Sequence, residues 1–247
     1  WHNRFHEKRA LLNADGLIAV SQFTADKTNE VFGLNKQFTI IPNSIDVTTF
    51  KRNETIQTIG NTILYFGSLI RKKGLLELPF IFNEVIKENP KAKLILIGKD
   101  VLDIISGSAS TWEIMKDLFT KEALLNVNYL GSVPYSDIQT HINKANVCVF
   151  PSFAEALPLS WIEAMAMEKA IVASNIGWAT AIVDDGVNGF LVQPKEHTIY
   201  ADKINTLLKN SQMQKQFGLA AREKVIHKFS KDIVATENLS FYKSIIK

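Results

Sequence analysis

The chain has 247 residues, 46% of them hydrophobic, and its 28 basic and 25 acidic side chains leave a formal net charge of +3. This length suits one large domain or two modest ones, and the charge is too small for the dense basic surface of a dedicated nucleic-acid binder. The single cysteine, Cys148, excludes an intrachain disulfide. No apolar run approaches the roughly 18 residues that span a bilayer, and the polar start is unlike a secretory signal. We therefore expect a cytoplasmic protein.

In the first sixty residues, predicted strands and helices alternate less regularly than in the rest of the chain. The sequence there predicts helices at 5–12 and directly after Ser21, whose hydroxyl suits an N-cap, and strands at 16–20 and 38–41. Residues 51–61 are polar, show no period and resemble a linker.

From residue 62 onward, short β-branched runs alternate with segments of helical period. The predicted strands are 62–66, 93–97, 127–130, 146–150, 170–173 and 190–192. The predicted helices are 75–87, 136–144, 159–167, 203–208, 212–229 and 233–246. Five of the strands are almost entirely apolar, as expected when helices cover both faces of a sheet. The pattern predicts an α/β fold with a Rossmann-like, doubly wound parallel sheet.

In such a sheet, ligands bind beyond the carboxyl ends of the strands. The strand 62–66 is followed by a loop that carries two glycines, Gly67 and Gly74, and three cations, Arg71, Lys72 and Lys73. Glycine permits close approach of the backbone, and the following helix adds partial positive charge, so the loop suits a phosphate. A basic surface loop is the alternative.

Glycines also follow the next two strands, as Gly98 with Lys99 and as Gly131 shortly before Val133. They would let a nucleotide lie against the backbone, and they would equally serve tight turns.

Two glutamates flank the start of the helix after strand 146–150. Glu155 lies in the loop, and Glu163 lies about one turn inside the helix. The amides of Leu157, Leu159 and Ser160 stand at the positive end of this helix and suit a diphosphate. A carboxylate on an apolar helix needs a partner, which sugar hydroxyls would supply. The alternative is that Glu163 faces water or pairs with a structural cation.

These motifs together resemble the donor-binding domain of glycosyltransferase family 4, the "group 1" glycosyltransferases. The similarity extends from about residue 10 to residue 230, with the motifs in the same order. It is carried by residues 14–21, 41–46, 67–74, 153–166 with its two glutamates, 170–177 and 185–192.

The resemblance implies a GT-B fold, retention of the anomeric configuration and no metal or other cofactor. It implies that Lys73 and a second basic residue of its loop grip the donor diphosphate, that Glu163 holds the ribose hydroxyls, and that Glu155 contacts the transferred sugar. Glu155 and Lys73 are thus the candidate catalytic residues. The candidate donor-binding residues are Gly67, Ser68, Arg71, Lys73, Gly98, Lys99, Gly131, Val133, Ser152, Ala156, Leu157, Leu159 and Glu163.

Three departures from the family pattern involve four positions. Ser68 stands where the family usually has arginine, and Arg71 is the candidate substitute. Ala156 and Pro158 replace glycines between the two glutamates, and proline removes one amide donor. Ala181 replaces an acidic residue that the family often carries.

The resemblance also divides the chain. Residues 1–50 match a remnant of the N-terminal acceptor domain with the interdomain crossover, 51–229 match the C-terminal nucleotide-sugar-binding domain, and 230–247 match a helix that crosses back. The chain thus resembles a fragment of a two-domain enzyme.

The predicted function is transfer of a hexose from a UDP- or GDP-sugar to a saccharide or lipid-linked acceptor in polysaccharide or glycoconjugate synthesis. Its partners are these substrates and no nucleic acid, and a lipid-linked acceptor would bring the protein to the inner face of the membrane. A sugar-nucleotide epimerase of the same fold and a non-catalytic nucleotide-sugar-binding module are the alternatives.

Overall fold

The computed structural model of the protein describes residues 2–246, with side chains from residue 4 onward. The strands are β1 (Ile18–Ala19), β2 (Thr39–Ile40), β3 (Thr62–Phe66), β4 (Lys93–Ile97), β5 (Val127–Tyr129), β6 (Val147–Phe150), β7 (Ala170–Ser174) and β8 (Phe190–Val192). The α-helices are α1 (His2–Asn13), α2 (Gln22–Phe32), α3 (Leu78–Glu88), α4 (Thr111–Leu118), α5 (Lys121–Leu124), α6 (Tyr135–Lys144), α7 (Leu159–Ala166), α8 (His197–Lys209), α9 (Ser211–Lys228) and α10 (Lys231–Ile245).

Six strands form one parallel sheet in the order β5-β4-β3-β6-β7-β8. The chain proceeds from β3 outward to β5, returns to the centre as β6, and then proceeds outward to β8. The strand order therefore reverses between β3 and β6, which pair through Ile63 with Val147 and Leu64 with Cys148. The predicted doubly wound parallel sheet is confirmed, and its crevice lies beyond the carboxyl ends of β3 and β6.

The core fills both faces of this sheet. Every residue of β3, β6 and β7 is buried, because α3 and α8 pack together on one side while α7 packs against α9 and β7. Cys148 is a fully buried core residue, and burial raises the pKa of its thiol to about 12. None of the described helices is both long and apolar enough to cross a membrane.

Residues 2–41 form a small unit separate from the six-stranded sheet. β1 and β2 pair only with each other, in parallel. Ser21 caps α2 as predicted, accepting a hydrogen bond from the backbone N–H of Thr24 at 3.2 Å. Helix α10 returns to this unit, since a Cβ on Gly16 would lie 2.7 Å from the Phe241 ring.

The segment between this unit and β3 is irregular but anchored, so it is more than a free linker. The backbone N–H of Ile45 donates to the carbonyl of Phe229, and Ile45 and Phe50 are buried in the main core. Arg222 donates to the carbonyls of Phe50 and Val47. Residues 45–50 of this crossover segment are therefore held against α9 and Phe229. Its later part is held against the end of α6, where the N–H of Asn53 donates to the Asn143 Oδ1 at 2.9 Å and the N–H of Ile59 donates to the Lys144 carbonyl at 2.8 Å.

Several helix boundaries differ from the sequence prediction. The helix predicted to begin at residue 75 begins at Leu78, because Gly74 at φ 71° ends a short 3-10 helix over Arg71–Lys73. The helix predicted at 203–208 extends over all of α8. Helices α4 and α5 were not predicted, although Ser110 and Thr120 cap them with side-chain hydrogen bonds.

Glu168 adopts the left-handed conformation at φ 57°, which costs an L-residue about 1 to 2 kcal/mol. Its side chain makes a 3.4 Å contact with Arg52. We expect Glu168→Gly to raise the free energy of unfolding by about 1 kcal/mol, measured by urea denaturation. Asn61→Gly is the matched control and should gain less, because asparagine tolerates φ 60° and Asn61 accepts a hydrogen bond from Asn89. A loss of stability in Glu168→Gly would contradict this account.

Candidate active site

Glycines bring the loops after β3 and β4 into direct contact at the crevice. Gly67 and Gly98 both have φ 144°, a conformation that essentially only glycine adopts. A Cβ on Gly98 would lie 1.9 Å from the carbonyl oxygen of Gly67. Farther along, the backbone N–H of Leu69 donates to the carbonyl of Lys99 at 2.8 Å. The two loops therefore form one backbone surface at the edge of the crevice.

A third glycine joins the basic loop to the loop that follows β6. A Cβ on Gly74 would lie 1.8 Å from the carbonyl oxygen of Pro151, so a side chain there is excluded by the backbone. The backbone N–H of Phe153 donates to the carbonyl of Lys72 at 2.8 Å. This contact fixes the β6 loop against the basic loop.

The consequence is an ion pair between two predicted site residues. The Lys73 Nζ lies 3.6 Å from the Glu155 Oε1, with the two side chains 23% and 14% exposed. The Ser152 hydroxyl donates to the same Glu155 oxygen at 3.3 Å. A cation and a carboxylate are thus held side by side, both partly open to solvent.

Glu163 lies deeper and is held by an aromatic hydroxyl. The Tyr135 hydroxyl donates to the Glu163 Oε1 at 2.5 Å, and Glu163 is 7% exposed. Burial raises the pKa of the Glu163 carboxyl, while the hydrogen bond from Tyr135 and the charge of Lys73 lower it. The alternative of a solvated helix carboxylate is therefore wrong.

A cavity of about 310 Å³ opens beside these residues. Its lining includes six of the predicted donor-binding residues, namely Gly67, Ser68, Gly98, Lys99, Val133 and Glu163. It also includes Phe66, Ile97, Ser132, Tyr135, Ile138 and Ser160. The cavity combines backbone, apolar and carboxylate surface, as expected for a nucleoside site.

The remaining predicted residues do not line this cavity. Gly131 accepts a hydrogen bond from the Gly98 N–H at 2.8 Å. Leu157 is buried and its carbonyl accepts from the Asn43 side chain at 2.9 Å, which ties the glutamate loop to the crossover. Ala156 and Leu159 are exposed.

Arg71 is engaged by a protein carboxylate. Its Nε and Nη2 donate to the two oxygens of Asp103 at 2.8 and 2.6 Å. Asp103 also accepts from the backbone N–H and hydroxyl of Ser106. These hydrogen bonds, above all that from Arg71, hold the pKa of Asp103 well below its usual range. Arg71 thus joins the basic loop to the loop after β4, and its role in donor binding stays a prediction.

Sequence reasoning missed Tyr135 and Asp103. Tyr135 carried one signal, since it opens α6 directly after Val133 and Pro134, where the β5 loop reaches the crevice. Asp103 lies in an irregular segment 32 positions from its partner, and no local pattern identifies it.

A doubly wound parallel sheet with a basic glycine loop, a cavity and two glutamates at its switch point is an arrangement of the GT-B type. The family model described as "Glycosyl transferases group 1" matches residues 46–224. The chain belongs to this family, as the motifs indicated.

Two curated relatives illustrate the family. CapM, a capsular polysaccharide biosynthesis glycosyltransferase of Staphylococcus aureus, is 28% identical over 98% of this chain and 64% of its own length. The alpha-maltose-1-phosphate synthase of Mycobacterium tuberculosis is 26% identical over 97% of this chain and 65% of its own length. The chain thus spans just under two thirds of the length of these relatives.

Solved structures establish the fold independently. Anabaena HepE in complex with UDP and glucose superposes with a TM-score of 0.84 at 22% identity, over 98% of this chain and 67% of that one. Sucrose-phosphate synthase from Thermosynechococcus elongatus superposes with a TM-score of 0.83 at 24% identity, over 98% of this chain and 61% of that one.

Proposed function

We propose that this chain carries the donor site of a retaining hexosyltransferase that uses a UDP- or GDP-sugar. The observation that carries the proposal is the placement of Lys73 and Glu155 3.6 Å apart at the crevice, with Glu163 lining the adjacent cavity. A nucleotide-sugar consists of a nucleoside, a diphosphate and a sugar in that order. The cavity beside Glu163, the Lys73 cation and the Glu155 carboxylate would meet these three parts in turn.

In this proposal each residue meets one part of the donor. The ribose hydroxyls donate to Glu163, and the diphosphate lies along the glycine edges with Lys73 balancing its charge. Glu155 lies beside the anomeric carbon and stabilises positive charge there. The acceptor oxygen bonds to that carbon as its bond to the diphosphate breaks, and the acceptor proton passes to the leaving phosphate oxygen.

The charge on the leaving diphosphate has cationic partners within the chain. Lys73 and Lys99 supply positive charge at the crevice, so we propose binding without a metal ion. Nucleotide affinity should then be equal in EDTA and in magnesium. A strict magnesium requirement would contradict this part of the proposal.

The donor assignment is tested by calorimetry with UDP-, GDP- and ADP-sugars. We expect Lys73→Ala to weaken binding of the preferred donor by about 10- to 100-fold, because it removes a charge-assisted contact with phosphate. Lys72→Ala is the matched control, since the neighbouring Lys72 side chain is exposed and its carbonyl contact with Phe153 is preserved.

Glu163→Gln should weaken the same donor, because an amide is a poorer acceptor for ribose hydroxyls. Failure of every nucleotide-sugar to bind at about millimolar concentration would overturn the assignment.

The acceptor is proposed to be a saccharide or a lipid-linked saccharide. The name of CapM, which places it in capsular polysaccharide biosynthesis, supports a growing polysaccharide. Product formation that requires an acceptor would separate transfer from epimerisation, which needs none, and from a module that only binds.

A further inference from the structure

We propose that Tyr135 is a positioning residue of the donor site, whose hydroxyl orients the Glu163 carboxylate toward the ribose. This inference rests on the proposed function, since it concerns how the carboxylate that would accept hydrogen bonds from the ribose is oriented. Nothing in the family motifs described above includes Tyr135.

The geometry places the tyrosine between the cavity and the crossover. Tyr135 is the first residue of α6, its ring packs against buried Phe50 at 5.6 Å between centroids, and its hydroxyl reaches Glu163 on α7. Both Tyr135 and Glu163 line the cavity. The tyrosine ring, which is 63% exposed, therefore contacts Phe50 on one side, and its hydroxyl reaches the Glu163 carboxylate on the other.

A single hydrogen bond leaves the carboxylate able to bind ribose. An ionised carboxylate has about four acceptor positions, and Tyr135 occupies one of them. Burial and the adjacent carboxylate raise the pKa of Tyr135, so the phenol keeps its proton and acts as the donor. Two vicinal ribose hydroxyls can then donate to the remaining positions.

The same hydrogen bond favours the ionised form of Glu163. Burial raises the pKa of Glu163, whereas Tyr135 on α6 and Lys73 on the basic loop both lower it, and Lys99 also faces the cavity. Loss of the phenolic hydroxyl therefore shifts the Glu163 pKa upward. Ribose binding, which uses the ionised carboxylate, is then lost at a higher pH as the solution is acidified.

The test is Tyr135→Phe, which keeps the ring on Phe50 and removes the hydroxyl. Affinities for UDP and GDP are measured from about pH 5 to about pH 8, each against its 2′,3′-dideoxy analogue. We expect the preferred nucleotide to bind about 3- to 10-fold more weakly at neutral pH, with the acid midpoint moved upward and the dideoxy analogue unaffected. In a Glu163→Gln background, Tyr135→Phe should have no further effect on either ligand.

Tyr242→Phe is the control, because Tyr242 is exposed to a similar degree as Tyr135 but lies on α10 and does not line the cavity. Equal losses for the nucleotide and its dideoxy analogue would assign Tyr135 a merely structural role and overturn the inference. Tighter nucleotide binding by Tyr135→Phe would also overturn it, since the hydroxyl would then compete with ribose. If the wild-type chain does not distinguish the nucleotide from the dideoxy analogue, the ribose role of Glu163 in the proposed function fails instead.

Discussion

We expect Glu155→Gln to lower the rate of the proposed sugar transfer by about 100- to 1000-fold while the donor still binds. Glu155 is held by Lys73 at 3.6 Å and by Ser152 at 3.3 Å, so its charge is fixed in position before substrate arrives. A prepositioned charge stabilises the developing positive charge of the transition state without reorganisation. Glutamine has nearly the same shape but no charge, and turnover should fall while the donor dissociation constant changes little.

The measurement is kcat for transfer at saturating donor, with the donor dissociation constant obtained by calorimetry. Glu196→Gln is the control, because Glu196 is an exposed carboxylate directly before α8 and outside the cavity lining. Retention of more than about half of kcat in Glu155→Gln would show that the carboxylate has no part in the chemical step.

Gly74→Ala should be the most destabilising single substitution among the crevice glycines with φ near 70°. The new Cβ would lie 1.8 Å from the Pro151 carbonyl oxygen. Because a Cβ and a carbonyl oxygen are both fixed by the backbone, no side-chain rotation can relieve this contact. We expect a loss of about 3 to 5 kcal/mol in the free energy of unfolding, measured by urea denaturation. Separation of the two loops should also move Lys73 away from Glu155 and weaken donor binding.

Gly107→Ala is the control that separates the energy of the steric clash from the energy of placing alanine at positive φ. Gly107 has φ 75°, close to the 71° of Gly74, but no heavy atom lies within 4 Å of its added Cβ. Its loss should be about 1 to 2 kcal/mol, the cost of the left-handed conformation alone. Equal losses in Gly74→Ala and Gly107→Ala would show that the close contact with Pro151 is absent in solution.

Sequence patterns located the sheet because they are local. Buried parallel strands are continuous apolar runs, which is why β3, β4 and β8 end where predicted and the other strands of the sheet differ by one residue at an end. Helix ends were less certain. The start of α3 depends on how Gly74 packs against the β6 loop, and α4 and α5, at eight and four residues, are too short for a helical period to identify them.

The site divides in the same way. The sequence alone determined that glycines, cations and two glutamates follow neighbouring strands, because parallel strands deliver their carboxyl ends to one edge. It also determined the family, since the spacing of Glu155 and Glu163 and the motifs around them are properties of the chain order.

Only the tertiary structure decided which of these groups meet. Lys73 lies beside Glu155 because Gly74 lets the β6 loop touch the basic loop, and Arg71 is taken by Asp103 from the loop after β4. Glu163 receives its hydrogen bond from Tyr135 because α6 and α7 begin at the same edge of the sheet. Each of these pairs depends on the strand order and on close backbone contacts between loops, which no local period or spacing encodes.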